Sequence, residues 1–464
     1  MTTGYVLLSM LALAPPGLQA QTQLHLSEVL QSVAHSYPPL LAALLAKDAA
    51  AAEYLSAQGR FDTRLRTSIS SDRLGFYANE QAFTFLDQPL GDLGGAITSG
   101  WRVGNGDFAP YDGRLATRQS GEWRSGINLP LVRNRQIDER RAQLRKTSID
   151  RGIASLSVDQ QRLAIIRMAT VRYWDWVASG RRVAVVQAAL EIAETRDAQL
   201  REGVRLGQLA AIEVAENARA ILQRRSQLVE AERALQQSGF ELSMFYRNAQ
   251  GNTIVPAPER VPPVFPLTET VNPVRLEEDI RAAIRLRPDP GILRAEQEQA
   301  QVDAALARNQ RLPAIDFGLG FTAEAGQHPL VRRGPREIKA TLSFDLPFQR
   351  REATGKLRAA EAKLAQLRQR ERFALDAVTT EARDAASAVD AAHRRFQVIR
   401  EEVEVTRQLE DAERFRFQAG DGTLFMVNLR EQATVEAATR EIAAQADYFR
   451  ALAAYDMAVA AALR

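Results

Sequence analysis

The sequence predicts a mainly helical protein with a small β part, built twice on one plan of strand, long helix, turn and second helix. Three observations predict it. The first is a repeated phrase: "GINLPLVRNR" at residues 126–135 and "SFDLPFQRR" at residues 343–351 are each an alternating stretch ending in Leu-Pro, followed by a basic cluster and a helical run. The second is a weak alignment of the two halves, the signature of an internal repeat. A shift of 250 lays Leu26 on Leu276, Pro38 on Pro288 and Leu65 on Ile315, a shift of 217 lays Leu129-Pro130 on Leu346-Pro347, and a shift of 213 lays Gly207 on Gly420 and Val214 on Val427. The third is length. Neither Gly nor Pro interrupts residues 356–419, nor residues 153–179 and 181–202 on either side of Gly180. At 1.5 Å per residue a run of about 65 residues is about 100 Å long, beyond the core of any compact domain.

Taken in order, residues 1–20 read as a signal peptide: an apolar core, a helix-breaking Pro pair and a small residue, Ala20, before a cleavage point at Gln21. No later stretch of about 18 apolar residues is expected, which leaves strands as the only elements able to cross a membrane. The first repeat occupies residues 21–250. It opens on a helix over residues 26–58, followed by a weakly alternating strand at Leu65, Thr67 and Ile69 and a stronger one at Trp123, Ile127, Leu129 and Leu131. Residues 75–118 between them read as an outward loop. Pro130 closes the second strand, because proline donates no hydrogen bond and is confined to strand ends and edges. The long helix then runs to a turn at Gly207, and a returning helix covers residues 209–246. Residues 251–273 are an extended, Pro-rich connector.

The second repeat, residues 274–464, copies this order. A helix over residues 276–308 precedes a strand at Ile315, Phe317, Leu319 and Phe321 and another at Ile338, Ala340, Leu342, Phe344, Leu346 and Phe348, with Pro347 as its strand-to-helix junction. In the long helix Ala385, Val389, Ala392, Phe396, Ile399 and Val403 recur at steps of four and three, the seam of a coiled coil. A turn at Gly420 leads into a helix over residues 424–462. Each returning helix has some 40 residues and each opening helix some 30. Stacked end to end, the two would pair with the whole of the long helix.

Each strand is about 10 residues, the length of a tilted membrane strand, with one apolar and one polar face. Open sheet edges cannot face hydrocarbon, so four strands must close against strands of other copies. Two copies would supply eight strands and three would supply twelve, with room for a passage.

The composition argues against other chemistries. The 60 basic and 57 acidic residues are spread along the chain and leave a net charge of +3, with no basic stripe for nucleic acid. Cysteine is absent, which excludes disulfides, zinc-thiolate sites and thiol catalysis. His25, His35, His328 and His393 have no metal-site spacing, and no catalytic motif or phosphate-binding loop occurs. No enzyme activity, metal or cofactor is expected. "YWDW" at residues 173–176 reads as helix packing. The alternative reading is a soluble coiled-coil scaffold or tether, which leaves the alternating strands idle.

On these residues the chain resembles the TolC-like outer-membrane efflux proteins, over nearly the whole chain from Leu26 to Ala462. The resemblance rests on the duplicated plan, on "LPLVRNR" and "LPFQRR" at the strand exits, and on the turn phrases "VRLGQLAAIEVAENARA" (residues 204–220) and "FQAGDGTLFMVNLREQA" (residues 417–433). It implies a homotrimer in the outer membrane, forming one twelve-stranded barrel continuous with a periplasmic α-helical barrel. It implies a passive exit duct in efflux or type I secretion, docked on a periplasmic adaptor and an inner-membrane pump. Carried over by position, Arg205, Leu206, Gly207 and Gln208, with Ala419, Gly420, Asp421, Gly422, Thr423 and Leu424, form the tip where the adaptor docks. Family members often place acids after the second tip. Here Met426 and Leu429 stand at those positions, so any constriction would rest on Glu213, Asp421 and Met426.

Overall fold

Prolines in the opening helix of each repeat break it in two at the same place. In the computed structural model, which describes residues 23–73, 75–109, 115–327 and 336–464, α1 (Leu26–Ser36) and α2 (Pro38–Gln58) flank Tyr37, while α5 (Pro273–Leu286) and α6 (Pro288–Gln310) flank Arg287. Tyr37 (φ −80°, ψ 114°) and Arg287 (φ −62°, ψ 131°) are extended, because the ring of a following proline disfavours the helical conformation. The single opening helices expected over residues 26–58 and 276–308 are thus corrected to pairs. Residues 1–20, the expected signal peptide, and His328 lie outside the described residues.

The β part differs more from expectation. Six strands, β1 (Arg64–Asp72), β2 (Asn79–Pro89), β3 (Ala96–Gly106), β4 (Glu122–Pro130), β5 (Ala314–Glu324) and β6 (Arg336–Asp345), form one antiparallel sheet in chain order. The four alternating runs are β1, β4, β5 and β6. Most of the segment read as an outward loop is instead the β2–β3 hairpin, inserted between β1 and β4 along the full length of β1. Four strands per chain becomes six. From the sheet the chain passes into α3 (Glu139–Arg205) and α7 (Arg351–Gln418), each followed by its returning helix, α4 (Ala211–Ser243) and α8 (Leu424–Ala458). Pro130 is the last residue of β4, and Pro347 follows the end of β6 by two residues.

The described chain divides into two compact units, each drawing on both halves of the sequence. One comprises residues 42–160 and 284–377: the sheet, most of α2, α6, and the first parts of α3 and α7. Its helices pack closely through small side chains, as in the buried cluster of Ala304, Ala307, Leu357 and Ala360. Lys146 bridges to Asp303 at 3.0 Å, and the Arg151 guanidinium lies 4.6 Å above the Tyr54 ring. Residues 26–61 form a segment apolar enough for an 18-residue span, contrary to expectation, with Leu45 and Leu55 on the exposed side of α2.

The other unit comprises residues 23–41, 161–283 and 378–464. The coiled-coil seam is here as expected: Ala385, Val389, Phe396, Ile399 and Val403 are buried, and Phe396 and Ile399 pack on Ala444 of α8. The end of α4 meets the break between α1 and α2, where Tyr37 stacks on Phe245 at 5.1 Å and Ser32 Oγ donates to the Arg247 carbonyl at 3.0 Å. These contacts join the end of α4 to α1 in the first repeat. Trp174 and Trp176 are core residues; Trp174 stacks on Phe449 at 4.1 Å and on Phe265 of the connector at 5.7 Å. Connector residues 251–272 run back along the helices, with Val261 against Gly180 and the Glu269 amide donating to Tyr448.

Candidate functional site

Two features of the fold could serve function, one in each unit. In the sheet, directly opposed residues share a face, so the register sorts every side chain. One face carries Leu65 and Ile69, Ala82 and Leu86, Ile97 and Trp101, Trp123 and Ile127, Phe317 and Leu319, then Ile338 and Leu342. It is an apolar band across all six strands, with Trp101 and Trp123 side by side at 6.3 Å. The opposite face is polar and ion-paired. Arg66 meets Asp87 at 2.5 Å, Arg102 Nε donates to Glu122 Oε1 at 2.8 Å in a buried pair, and Arg118 reaches Glu324 at 3.2 Å. A cavity of about 650 Å³ runs along this face, between Arg66, Phe85, Glu122, Arg124 and Lys339. The edges, β1 and β6, are exposed along their whole length.

The second feature is the pair of helix-to-helix turns. Gly207 (φ +74°) and Gly420 (φ +86°) adopt the left-handed conformation that closes a helix C-terminus with least strain. The Gln208 amide donates to the Gly203 carbonyl at 2.9 Å, and the Asp421 amide to the Arg416 carbonyl at 2.9 Å. Thr423 then caps α8, its hydroxyl accepting from the Met426 amide at 3.4 Å. The turns are held together by a cluster of Leu200, Leu424 and Val427, with Leu209, Val214 and Phe417 against it. The structure therefore brings the two sequence-predicted turn phrases side by side. Arg205, Leu206, Gly207, Gln208, Ala419, Gly420, Asp421 and Thr423 are exposed, and Gly422 is half-buried. Leu424 is fully buried in the cluster that joins the turns, where it packs against Leu200 and Val427. Of the constriction residues, Asp421 is exposed while Glu213 and Met426 are half-buried, each within the first turn or so of its helix.

Behind the turns lies a group that sequence reading missed. Glu431 of α8, 3 % exposed, accepts from Arg196 of α3 at 2.7 Å, Arg224 of α4 at 2.6 Å and Arg414 of α7 at 3.0 Å. Four helices are joined at one carboxylate. Burial pushes its pKa up, but the Arg196 and Arg224 guanidiniums more than offset that and hold it below the ordinary carboxylate range. The available signal was spacing: Leu424, Val427 and Glu431 fall on one stripe of α8, and an acid continuing an apolar stripe is a buried acid that needs a cation. Among the described residues no group of three or more His, Asp or Glu side chains is arranged to hold a metal.

Residues 280–460 match the family model described as Outer membrane efflux protein. The fold agrees over far more of the chain. It is similar to the open-state MtrE outer membrane channel of Neisseria gonorrhoeae (TM-score 0.68, 13 % identity, covering 94 % of this chain and 88 % of that one). It is similar also to the outer membrane protein VceC of Vibrio cholerae (0.66, 16 %, 94 % and 95 %) and the CmeC outer membrane channel of Campylobacter jejuni (0.64, 15 %, 95 % and 86 %). No curated protein sequence matches the chain. The resemblance to the TolC-like outer-membrane efflux proteins is borne out, by the family match over residues 280–460 and by the fold over nearly the whole chain, and with it the mainly helical fold class.

Proposed function

We propose that this protein is the outer-membrane exit duct of a tripartite efflux or type I secretion system: a homotrimer that conducts cargo passively while an inner-membrane pump supplies the energy. The sheet is its wall in the membrane, apolar face to lipid and ion-paired face to water. Residues 21–250 and 274–464 are its two structural repeats, joined by the connector at residues 251–273. The turns at residues 205–208 and 419–423 are where a periplasmic adaptor docks, with Leu424 holding them in place from within. Asp421 and Glu213 are the acids each copy brings to the narrow end, beside Met426.

The observation that carries this reading is the coexistence, in one chain, of an apolar sheet face with open edges and two exposed glycine turns packed against each other. A scaffold or tether would use neither. The test is retention of a fluorescent efflux dye by cells lacking the gene. Wild-type protein should restore export, whereas Leu206→Asp, which alters an exposed side chain and no core contact, should reach the outer membrane in normal amounts and fail to restore it. Normal export by Leu206→Asp together with a Thr423→Trp change would contradict docking at the turns.

A further inference from the structure

We propose that the inserted β2–β3 hairpin is part of the membrane wall, so that copies of this chain close edge to edge, β6 against β1, into a barrel of eighteen strands when three assemble. The inference rests on the trimer of the proposed function for its copy number, and on the sheet for everything else.

The hairpin spans the wall from end to end. β2 pairs with β1 from Arg64↔Asp87 to Asp72↔Asn79, and β3 pairs with β4 from Ala96↔Asn128 to Arg102↔Glu122, so β1 and β4 nowhere touch as neighbours. Its turn, residues 90–95, lies where the sheet hands over to the helices: Arg141 of α3 donates to the Asp92 carbonyl at 3.1 Å, and a Cβ on Gly94 would strike the Asn134 carbonyl. A hairpin belonging to an external loop would turn at the other end. Its sidedness also matches the wall. Leu86, Ile97 and Trp101 continue the apolar band, and Asp87, Thr98 and Arg102 continue the ion-paired face.

The edges supply the partner. β1 and β6 present unpaired backbone groups beside outward apolar side chains, Leu65 at 67 % and Ile69 at 79 % exposed, Ile338 at 73 % and Leu342 at 69 %. In hydrocarbon such edges must pair. In a six-stranded meander the first and last strands run in opposite directions, so β6 of one copy beside β1 of the next keeps the antiparallel order unbroken. An added hairpin preserves that parity, where a single added strand would destroy it. With strands about 4.8 Å apart and tilted about 40°, eighteen strands close at a radius of about 18 Å, against about 12 Å for twelve. The passage through the membrane is then half as wide again as four strands per copy would give, and selection of cargo falls to the turns.

The chain has no cysteine, so one nitroxide can be placed per copy at Asn128→Cys, on the inward face of β4. The copy number of the detergent-extracted oligomer is read by native mass spectrometry, and the separation between equivalent labels by pulsed electron resonance. Three copies with backbone separations of about 31 Å support the eighteen-stranded wall, and three with about 21 Å overturn it while leaving the trimer intact. Two copies would overturn the trimer and with it the count. Thr341→Cys on β6 repeats the measurement should the first variant misassemble, and it carries the same two distances.

Discussion

Glu431 shows how much a single buried charge can organise. Removing it leaves Arg196, Arg224 and Arg414 around an uncompensated hole, so Glu431→Ala should cost about 3–5 kcal/mol, read as a fall in the thermal midpoint of the detergent-solubilised protein. Its pKa is depressed in the fold, so its stabilisation is fully present above the ordinary carboxylate range and is lost as pH falls through the lower, folded value. Melts of the wild type should therefore weaken on acidification below about pH 4.5, and Glu431→Gln should flatten that acid limb. The turn glycines are a milder case. Nothing lies within 4 Å of a Cβ on Gly207 or Gly420, so Gly207→Ala and Gly420→Ala should each cost only the backbone strain, about 1–2 kcal/mol by the same melts. These turns were legible in the sequence because glycine between two helical runs has one main use there. Glu431 was not, because among so many Arg and Glu residues only its place on the stripe of Leu424 and Val427 marks it as interior.

At the scale of elements, the strands read from sequence were those whose alternation is clean, β1, β4, β5 and β6. β2 and β3 escaped for physical reasons. In β2 the stretch Ala82, Phe83, Thr84, Phe85, Leu86 puts apolar side chains on both faces, which hides the period. In β3, Gly100, Gly104 and Gly106 look like turn signals. At least one of them is there for packing: a Cβ on Gly100 would stand 2.5 Å from the Phe85 ring, so the glycine makes room for an aromatic side chain on the neighbouring strand. Gly100→Leu should break the hairpin's register and abolish a heat-resistant oligomer on gels, while Gly152→Ala, in open space within α3, should leave it or strengthen it slightly. The helix breaks at Tyr37 and Arg287 were written in the sequence as the residues before Pro38 and Pro288, at the same place in both repeats. The long helices were the easiest elements to read, since only a helix can continue for over sixty residues without Gly or Pro in α7 and with three glycines in α3.

For the whole molecule, the sequence carried the long helices and the four cleanly amphipathic strands, because both follow from periodicity. What it could not carry was the number of strands, which depends on a segment whose pattern is blurred by the packing it makes. If this sheet is a membrane wall with one face in lipid and one in water, the two faces of β6 must differ in their access to water. Single cysteines placed in turn at residues 337–342, in the assembled protein in lipid vesicles, should react with a water-borne maleimide in strict alternation. Glu337, Lys339 and Thr341 positions should label, and Ile338, Ala340 and Leu342 positions should be protected. Equal labelling of both sets would mean that water bathes both faces, and the wall would not exist.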